Sequence, residues 1–188
     1  AKRFFESGTG FGTYSRTLVG DLAKYFPENR YFLFAPESER NMAMVSRAHS
    51  TEIDRVVSYA SVRVVAPPSK GKFYWKLIGA RKALREHQID LYHGLAHQIP
   101  KSVRLSTVPK VVTIHDLIYL HHPEFSPEDD LDQYDRELRA ACSISDRIIA
   151  VSESTKRDLI RFFSISPEKI SVVYSGCDVR FRTKVSEK

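Results

Sequence analysis

Two stretches of this sequence place chemically active side chains at the end of an apolar run. Val111–Ile114 is apolar or β-branched and ends in His115 and Asp116, and a second run ends in His93. Such runs are too short for a helix and are typical of strands buried on both faces of a parallel sheet. In open α/β sheets, ligands bind outside the carboxyl ends of the strands, so we expect these three side chains to face one binding crevice.

These residues also have structural interpretations. Asp116 can cap the following helix and His115 can be a hydrogen-bonded core residue, and the isolated pair leaves both interpretations open. A zinc site is a third interpretation because His121 and His122 lie nearby. None of these clustered residues shows the His-x3-His spacing of helical zinc sites, so we expect no metal here.

A glycine-rich turn, Gly8-Thr9-Gly10-Phe11-Gly12, opens the chain, and a helix pattern follows it from Thr13 to about Phe26. Glycine lets the backbone approach a ligand closely and a helix N-terminus favours negative charge, so a diphosphate is the expected guest. The spacing is not Gly-x-Gly-x-x-Gly, and no acidic residue follows the next strand to hold a ribose, which argues against a nicotinamide enzyme. A loop without a ligand is the alternative.

The rest of the chain alternates strand patterns with amphipathic helix patterns. This alternation predicts an α/β fold, a Rossmann-like three-layer sandwich with a mainly parallel sheet. Because a glycine-rich turn normally follows the central strand, residues 1–5 are expected to be the tail of a truncated first strand, or else the start of the ordered chain. Predicted strands cover 31–35, 62–65, 89–93, 111–114, 147–151 and 170–174, and predicted helices cover 13–26, 41–48, 72–87, 126–141 and 153–163.

Composition narrows the class of protein. The 188 residues suffice for one well-cored domain. Two cysteines, Cys142 and Cys177, cannot form a disulfide framework and suit a reducing cytoplasm. The net charge of +6 favours an anionic partner, either a phosphate-bearing small molecule or an anionic lipid surface. Nucleic acid is not expected, because the basic residues are dispersed and no nucleic-acid-binding signature is present.

A basic helix pattern at residues 70–85 carries Tyr74 and Trp75 outside its apolar stripe. One interpretation is an interfacial surface that faces anionic lipid or an acceptor substrate. We favour a solvated charged face, because the basic run is interrupted and Glu86 closes it.

Five stretches, in this order along the chain, resemble the retaining glycosyltransferases of family four. They are the turn-helix at 7–16, Tyr92-His93-Gly94, Val111–Asp116, the strand-to-helix element Ile148–Asp158 and Val172–Asp178. The resemblance implies GT-B architecture, in which two Rossmann-like domains face each other across a cleft. The amino-terminal domain binds the acceptor, and the carboxy-terminal domain holds most of the nucleotide-sugar. Residues 1–178 would be the amino-terminal domain, and 179–188 would begin the crossover to an absent second domain.

The resemblance also implies roles for individual residues. His115 would hydrogen-bond the donor sugar near the reacting carbon, and Asp116 would line the same catalytic cleft. Backbone amides of the glycine-rich turn would contact the donor diphosphate. The donor-binding residues expected in this way are Gly10, Phe11, Gly12, His93, Ser152 and Glu153.

The expected function is sugar transfer from a nucleotide-sugar to a glycan or lipid-linked acceptor, with retention of the anomeric configuration. The expected setting is cytoplasmic assembly of a polysaccharide or glycan, and an anionic surface at the inner face of the membrane is a further expected partner. The donor is a co-substrate, so no cofactor is expected. The isolated chain should be a poor catalyst, because groups that stabilise the leaving diphosphate would lie in the second domain. Two alternatives stay open: a sugar-nucleotide epimerase of similar fold, and a non-catalytic module whose basic face docks on lipid or a partner.

Overall fold

The structure is a computed structural model that describes residues 4–5, 10–35, 50–66, 79–125 and 128–176. The strands of this part of the chain are β1 (Tyr31–Phe34), β2 (Val62–Val65), β3 (Tyr92–Gly94), β4 (Lys110–Ile114), β5 (Arg147–Ala150) and β6 (Ile170–Val172). Every strand pair is parallel. They form a two-stranded sheet, β1-β2, and a four-stranded sheet in the order β3-β4-β5-β6. The prediction of a mainly parallel α/β fold is confirmed.

Helices connect the strands along the chain. Short 3-10 turns are formed by Pro123–Phe125 and by Pro167–Lys169. The α-helices are α1 (Gly10–Tyr25), α2 (Ser50–Val57), α3 (Ala80–Glu86), α4 (Lys101–Arg104), α5 (Ile118–His121), α6 (Glu128–Ile144) and α7 (Glu153–Phe163).

Most predicted elements are observed, with three corrections. Helix α1 begins at Gly10, so the second half of the glycine-rich turn forms the first turn of the helix. Helices α2 and α4 were not predicted. The segment after Asp116, predicted as a loop, contains α5 and a 3-10 turn. Several predictions fall outside the described residues: the helix at 41–48, the basic segment 70–78 with its two aromatic residues, the helix start at 126–127 and the crossover at 177–188.

The sequence pattern places Tyr14, Leu18, Leu22 and Tyr25 on one apolar stripe of α1, but none of the four is buried, and Tyr25 is 62% exposed. The buried face carries Arg16 instead. Its Nε lies 2.9 Å from a carboxylate oxygen of Glu52 on α2, and its guanidinium donates to a backbone carbonyl. The buried residues of α1 are Gly12, Ser15, Arg16, Val19 and Ala23.

A cavity of about 460 Å³ lies between α1, β1 and β3. Leu18 and Leu22 of α1 line it, with β1 on one side and β3 on the other. The strand expected before α1 would belong at this junction of the two sheets. Phe4 and Phe5 do not supply it, because they are helical and buried; the idea that they are the tail of an extended strand is therefore wrong.

Strand β4 occupies an interior position of the larger sheet, where it pairs with β3 on one side and with β5 on the other. Val112, Thr113 and Ile114 are each fully buried. The strand therefore has little freedom to shift, and the residue that follows it, His115, emerges at the middle of the sheet's carboxyl edge.

Candidate functional site

His115 is held by its backbone and its ring at the end of β4. Its N–H donates to Nε2 of His97 at 2.7 Å, and its carbonyl accepts from the hydroxyl of Thr155 at 3.0 Å. Its own Nε2 lies 3.0 Å from the carbonyl oxygen of Leu95. A carbonyl can only accept, so Nε2 of His115 carries the proton and Nδ1 is the acceptor in the neutral ring.

Two aromatic rings from the first turns of α1 enclose the His115 ring. Phe11 and Tyr14 each place their ring centroid 4.7 Å from it, in edge-to-face orientation. Phe11 also lies edge-to-face against His97, at 5.2 Å. The segment predicted to bind a diphosphate is thus in direct contact with the residue predicted to bind the sugar.

A second network joins β3, β4 and α1. Nε2 of His93 lies 2.8 Å from the hydroxyl oxygen of Thr113, and the Tyr14 hydroxyl lies 3.2 Å from the same oxygen. Thr113 is fully buried and is the one polar residue of an otherwise apolar run after Lys110. Its hydroxyl links His93 to the ring that packs on His115.

Burial determines the charge of both histidines. Desolvation lowers the pKa of His93 to about 4, so the ring is neutral at neutral pH. Desolvation also lowers the pKa of His115, against opposing effects from the hydrogen bond to Leu95 and the charge of Asp116. Both rings therefore act as neutral hydrogen-bonding groups.

The remaining predicted site residues lie at or just before the starts of helices α5 and α7. Asp116 accepts the Ile118 N–H at 3.2 Å, a local contact to the first residue of α5 although the N-cap position itself is Leu117. The Ser152 hydroxyl accepts the Thr155 N–H at 3.0 Å and caps α7. Glu153 lies in the first turn of α7 and is exposed.

The histidines after α5 point elsewhere. His121 pairs with Asp158 at 3.1 Å, and His122 pairs with Glu124 at the same distance. In the part of the chain that the structure describes, no group of three or more metal-ligating side chains is close enough to hold one ion. The zinc interpretation required these histidines to converge with His115, and each is instead paired with a carboxylate elsewhere.

The structure thus connects Phe11, His93, His115 and Ser152 through short chains of contacts, with Gly10 and Gly12 flanking Phe11 in the first turn of α1. Sequence reasoning missed several residues of this site. The isolated threonine in an apolar strand was a visible signal, whereas the others depend on contacts between distant segments. The missed residues are Tyr14 as a ring contact, Leu95, His97, Thr113, Tyr134 and Thr155.

Comparisons with known proteins agree with this architecture. The family model described as Glycosyltransferase Family 4 matches residues 15–181. The chain is 25% identical over 173 residues to O-antigen chain mannosyltransferase B of Escherichia coli, covering 90% of this chain and 44% of that protein. The crystal structure of Anabaena Alr3699/HepE in complex with UDP is similar in fold, with a TM-score of 0.59, 18% identity, and coverage of 96% of this chain and 45% of that one.

The chain therefore spans less than half the length of these two relatives. Among the described residues, no helix has the length and apolar character that crossing a membrane requires.

Proposed function

Because the chain belongs to Glycosyltransferase Family 4, we propose that it is the acceptor-side half of a two-domain enzyme that transfers a sugar from a nucleotide-sugar to a glycan or lipid-linked acceptor with retention. The observation that carries the proposal is the neutral His115 ring at the carboxyl end of β4, packed against the first turns of α1. This is the edge of an α/β sheet where ligands bind.

The names of the relatives support the donor class and the setting. The Escherichia coli relative is named as a mannosyltransferase of the O-antigen chain, and the solved structure contains UDP. A nucleotide-sugar donor is consistent with the bound UDP, and polysaccharide assembly is consistent with the O-antigen name. Since the chain spans less than half of each relative, the activity of the whole protein is part of the proposal.

The site offers complementary groups to the two parts of such a donor. The neutral His115 ring has an acceptor at Nδ1, which suits a hydroxyl of the donor sugar. Helix α1 begins at Gly10, and a helix N-terminus suits a diphosphate because its dipole favours negative charge. Asp116, beside His115, would complete the polar edge.

A second domain would have to supply much of the catalysis. Departure of a nucleoside diphosphate develops negative charge, and fixed donors or cations that stabilise this charge are the largest contribution in many enzymes. The described residues place histidines and aromatic rings around His115, with no lysine or arginine among its contacts. We therefore propose that the isolated chain is inactive or nearly so. The donor acts as co-substrate in this proposal, with no further cofactor.

The test uses the full-length natural polypeptide. It would be incubated with a panel of UDP-, GDP- and ADP-sugars and a lipid-linked glycan acceptor, and the anomeric configuration of the product would be read by NMR. Acceptor-dependent transfer with the donor's configuration supports the proposal. Inversion would refute retention, and interconversion of nucleotide-sugars without an acceptor would favour the epimerase alternative. Absence of any reaction across the panel would count against the transferase.

A further inference from the structure

We propose that His97 is a positioning residue for His115, acting through the backbone N–H of His115 and not through the substrate. The proposal rests on the proposed function for its effect on sugar transfer. The hydrogen bond itself is independent of any function. No sequence signal marked His97, because it lies in the segment between β3 and α4.

The position of His97 is fixed by contacts from three directions. Its backbone N–H donates to the carbonyl of Thr113 at 3.0 Å, which ties the segment to β4. Its ring meets the Phe11 ring of α1 edge-to-face, and its Nδ1 is hydrogen-bonded to the Tyr134 hydroxyl of α6. With 3% of its surface exposed, His97 has almost no access to solvent.

The ring of His97 must be in one defined neutral form. Its Nε2 accepts from the His115 N–H at 2.7 Å, so this nitrogen carries a lone pair. The proton then sits on Nδ1 and is donated to the Tyr134 hydroxyl oxygen. The backbone N–H of His115, which can only donate, thus fixes the tautomer, and the Tyr134 hydroxyl accepts the proton that this tautomer carries on Nδ1.

The consequence is a defined orientation of the peptide group that enters His115. The N–H of this peptide is held by His97, and the carbonyl of the next peptide is held by Thr155. Side chains that are 1 Å out of place lose much of their catalytic effect, so a fixed backbone at His115 matters more than the strength of one hydrogen bond.

His97 also has a local role that must be separated from this one. Its φ of 60° lies in the left-handed region, where histidine and asparagine are tolerated better than most residues. If His97 served only the backbone turn, asparagine would be the best replacement. If it serves as the acceptor for the His115 N–H, glutamine is better, because its amide oxygen reaches about as far as Nε2 whereas that of asparagine stops near Nδ1.

The experiment compares His97→Gln with His97→Asn in the full-length natural polypeptide. We expect His97→Gln to keep transfer within about fivefold of wild type, and His97→Asn to lower kcat by about tenfold or more with KM for the acceptor little changed, the scale of a lost positioning interaction. The reverse order, with asparagine the more active, would overturn the proposal in favour of a purely local role.

Two measurements decide the structural part without relying on activity. NMR of the wild-type imidazoles should find His97 protonated at Nδ1 alone, and amide exchange at His115 should be about tenfold faster in His97→Asn than in wild type, the scale of one net hydrogen bond. A His97 proton on Nε2, or unchanged amide exchange at His115, would refute the hydrogen bond from the His115 N–H to His97.

If the wild-type protein transfers no sugar, the proposed function fails while these two readouts still test His97. Tyr134→Phe, which keeps the ring, serves as the milder variant if both replacements of His97 fold poorly: it removes the partner of Nδ1 and should speed amide exchange at His115, by less than His97→Asn does.

Discussion

The hydroxyl of Thr155 donates a hydrogen bond of 3.0 Å to the backbone carbonyl of His115, forty residues earlier in the chain. Thr155 lies in the first turn of α7, and its own N–H is capped by the Ser152 hydroxyl. The helix that follows β5 therefore holds the end of β4 from the side opposite to β3. Helix α7 and the end of β4 thus meet at His115, the residue on which the proposed chemistry depends.

Replacing Thr155 by valine removes this hydroxyl while nearly preserving the side-chain volume. We expect a loss of about 1–3 kcal/mol in the free energy of unfolding, because the carbonyl of His115 is left without its donor in a largely buried position. Urea unfolding would measure the loss. Thr155→Ser, which keeps the hydroxyl, is the matched control and should lose less than the valine variant. Equal losses in the two variants would show that packing, and not this hydrogen bond, is what Thr155 contributes.

His93 makes stability depend on pH in a predictable direction. Its folded pKa of about 4 lies below the ordinary value of 6.5, so the unfolded state binds more protons between these values. Its contribution is present above pH 6.5 and is lost as the pH falls towards 4. The full difference corresponds to about 3 kcal/mol, and about 2 kcal/mol should be lost between pH 7 and pH 5.

The His93→Gln variant isolates this contribution, since carboxyl groups elsewhere titrate in both proteins. Urea unfolding of wild type and variant at pH 7 and pH 5 should show a steeper loss of stability in the wild type. Parallel losses in the two proteins would mean that His93 is not buried in its neutral form.

Gly94 lies at the end of β3, where the chain turns into the segment that carries His97. A Cβ at this position would lie 2.6 Å from the backbone carbonyl oxygen of Gln98, so the segment would have to move. We expect Gly94→Ala to cost about 1–3 kcal/mol in the free energy of unfolding, the usual range for overpacking. Gly176→Ala, where a Cβ meets no atom within 4 Å, should change stability by less than about 0.5 kcal/mol. Thermal unfolding would compare the two variants. If Gly176→Ala were the more destabilised of the two, the described path of the segment after β3 would be wrong.

The sequence predicted the strands well because their apolar runs are short and end in polar residues. His93 and His115 were both placed at strand ends on this basis, and the structure connects them through Thr113 and Tyr14. Their location depends only on the period of burial along each strand and on the common direction of parallel strands. Local pattern therefore sufficed for the framework of the site.

Local pattern failed where a distant contact decides the structure. Glycines lower helix propensity, so the start of α1 was placed after Gly12, yet the turn from Gly10 is helical and packs Phe11 against two histidine rings. His97 lies 18 residues from His115 and 37 from Tyr134, and both residues hydrogen-bond to its ring nitrogens. No periodicity links such positions, and only the folded chain brings them together.

The central claim is that His115 contacts the reacting sugar. The most direct measurement is the rate of sugar transfer by the full-length natural polypeptide carrying His115→Ala, with His121→Ala as a control, because His121 pairs with Asp158 outside the contacts of the site. The account predicts a fall of about 10²-fold or more for His115→Ala, the scale of losing one stabilising group, with unfolding still cooperative. We expect a change of less than about twofold for the control. Wild-type transfer by a folded His115→Ala protein would mean that His115 has only a structural role at the end of β4.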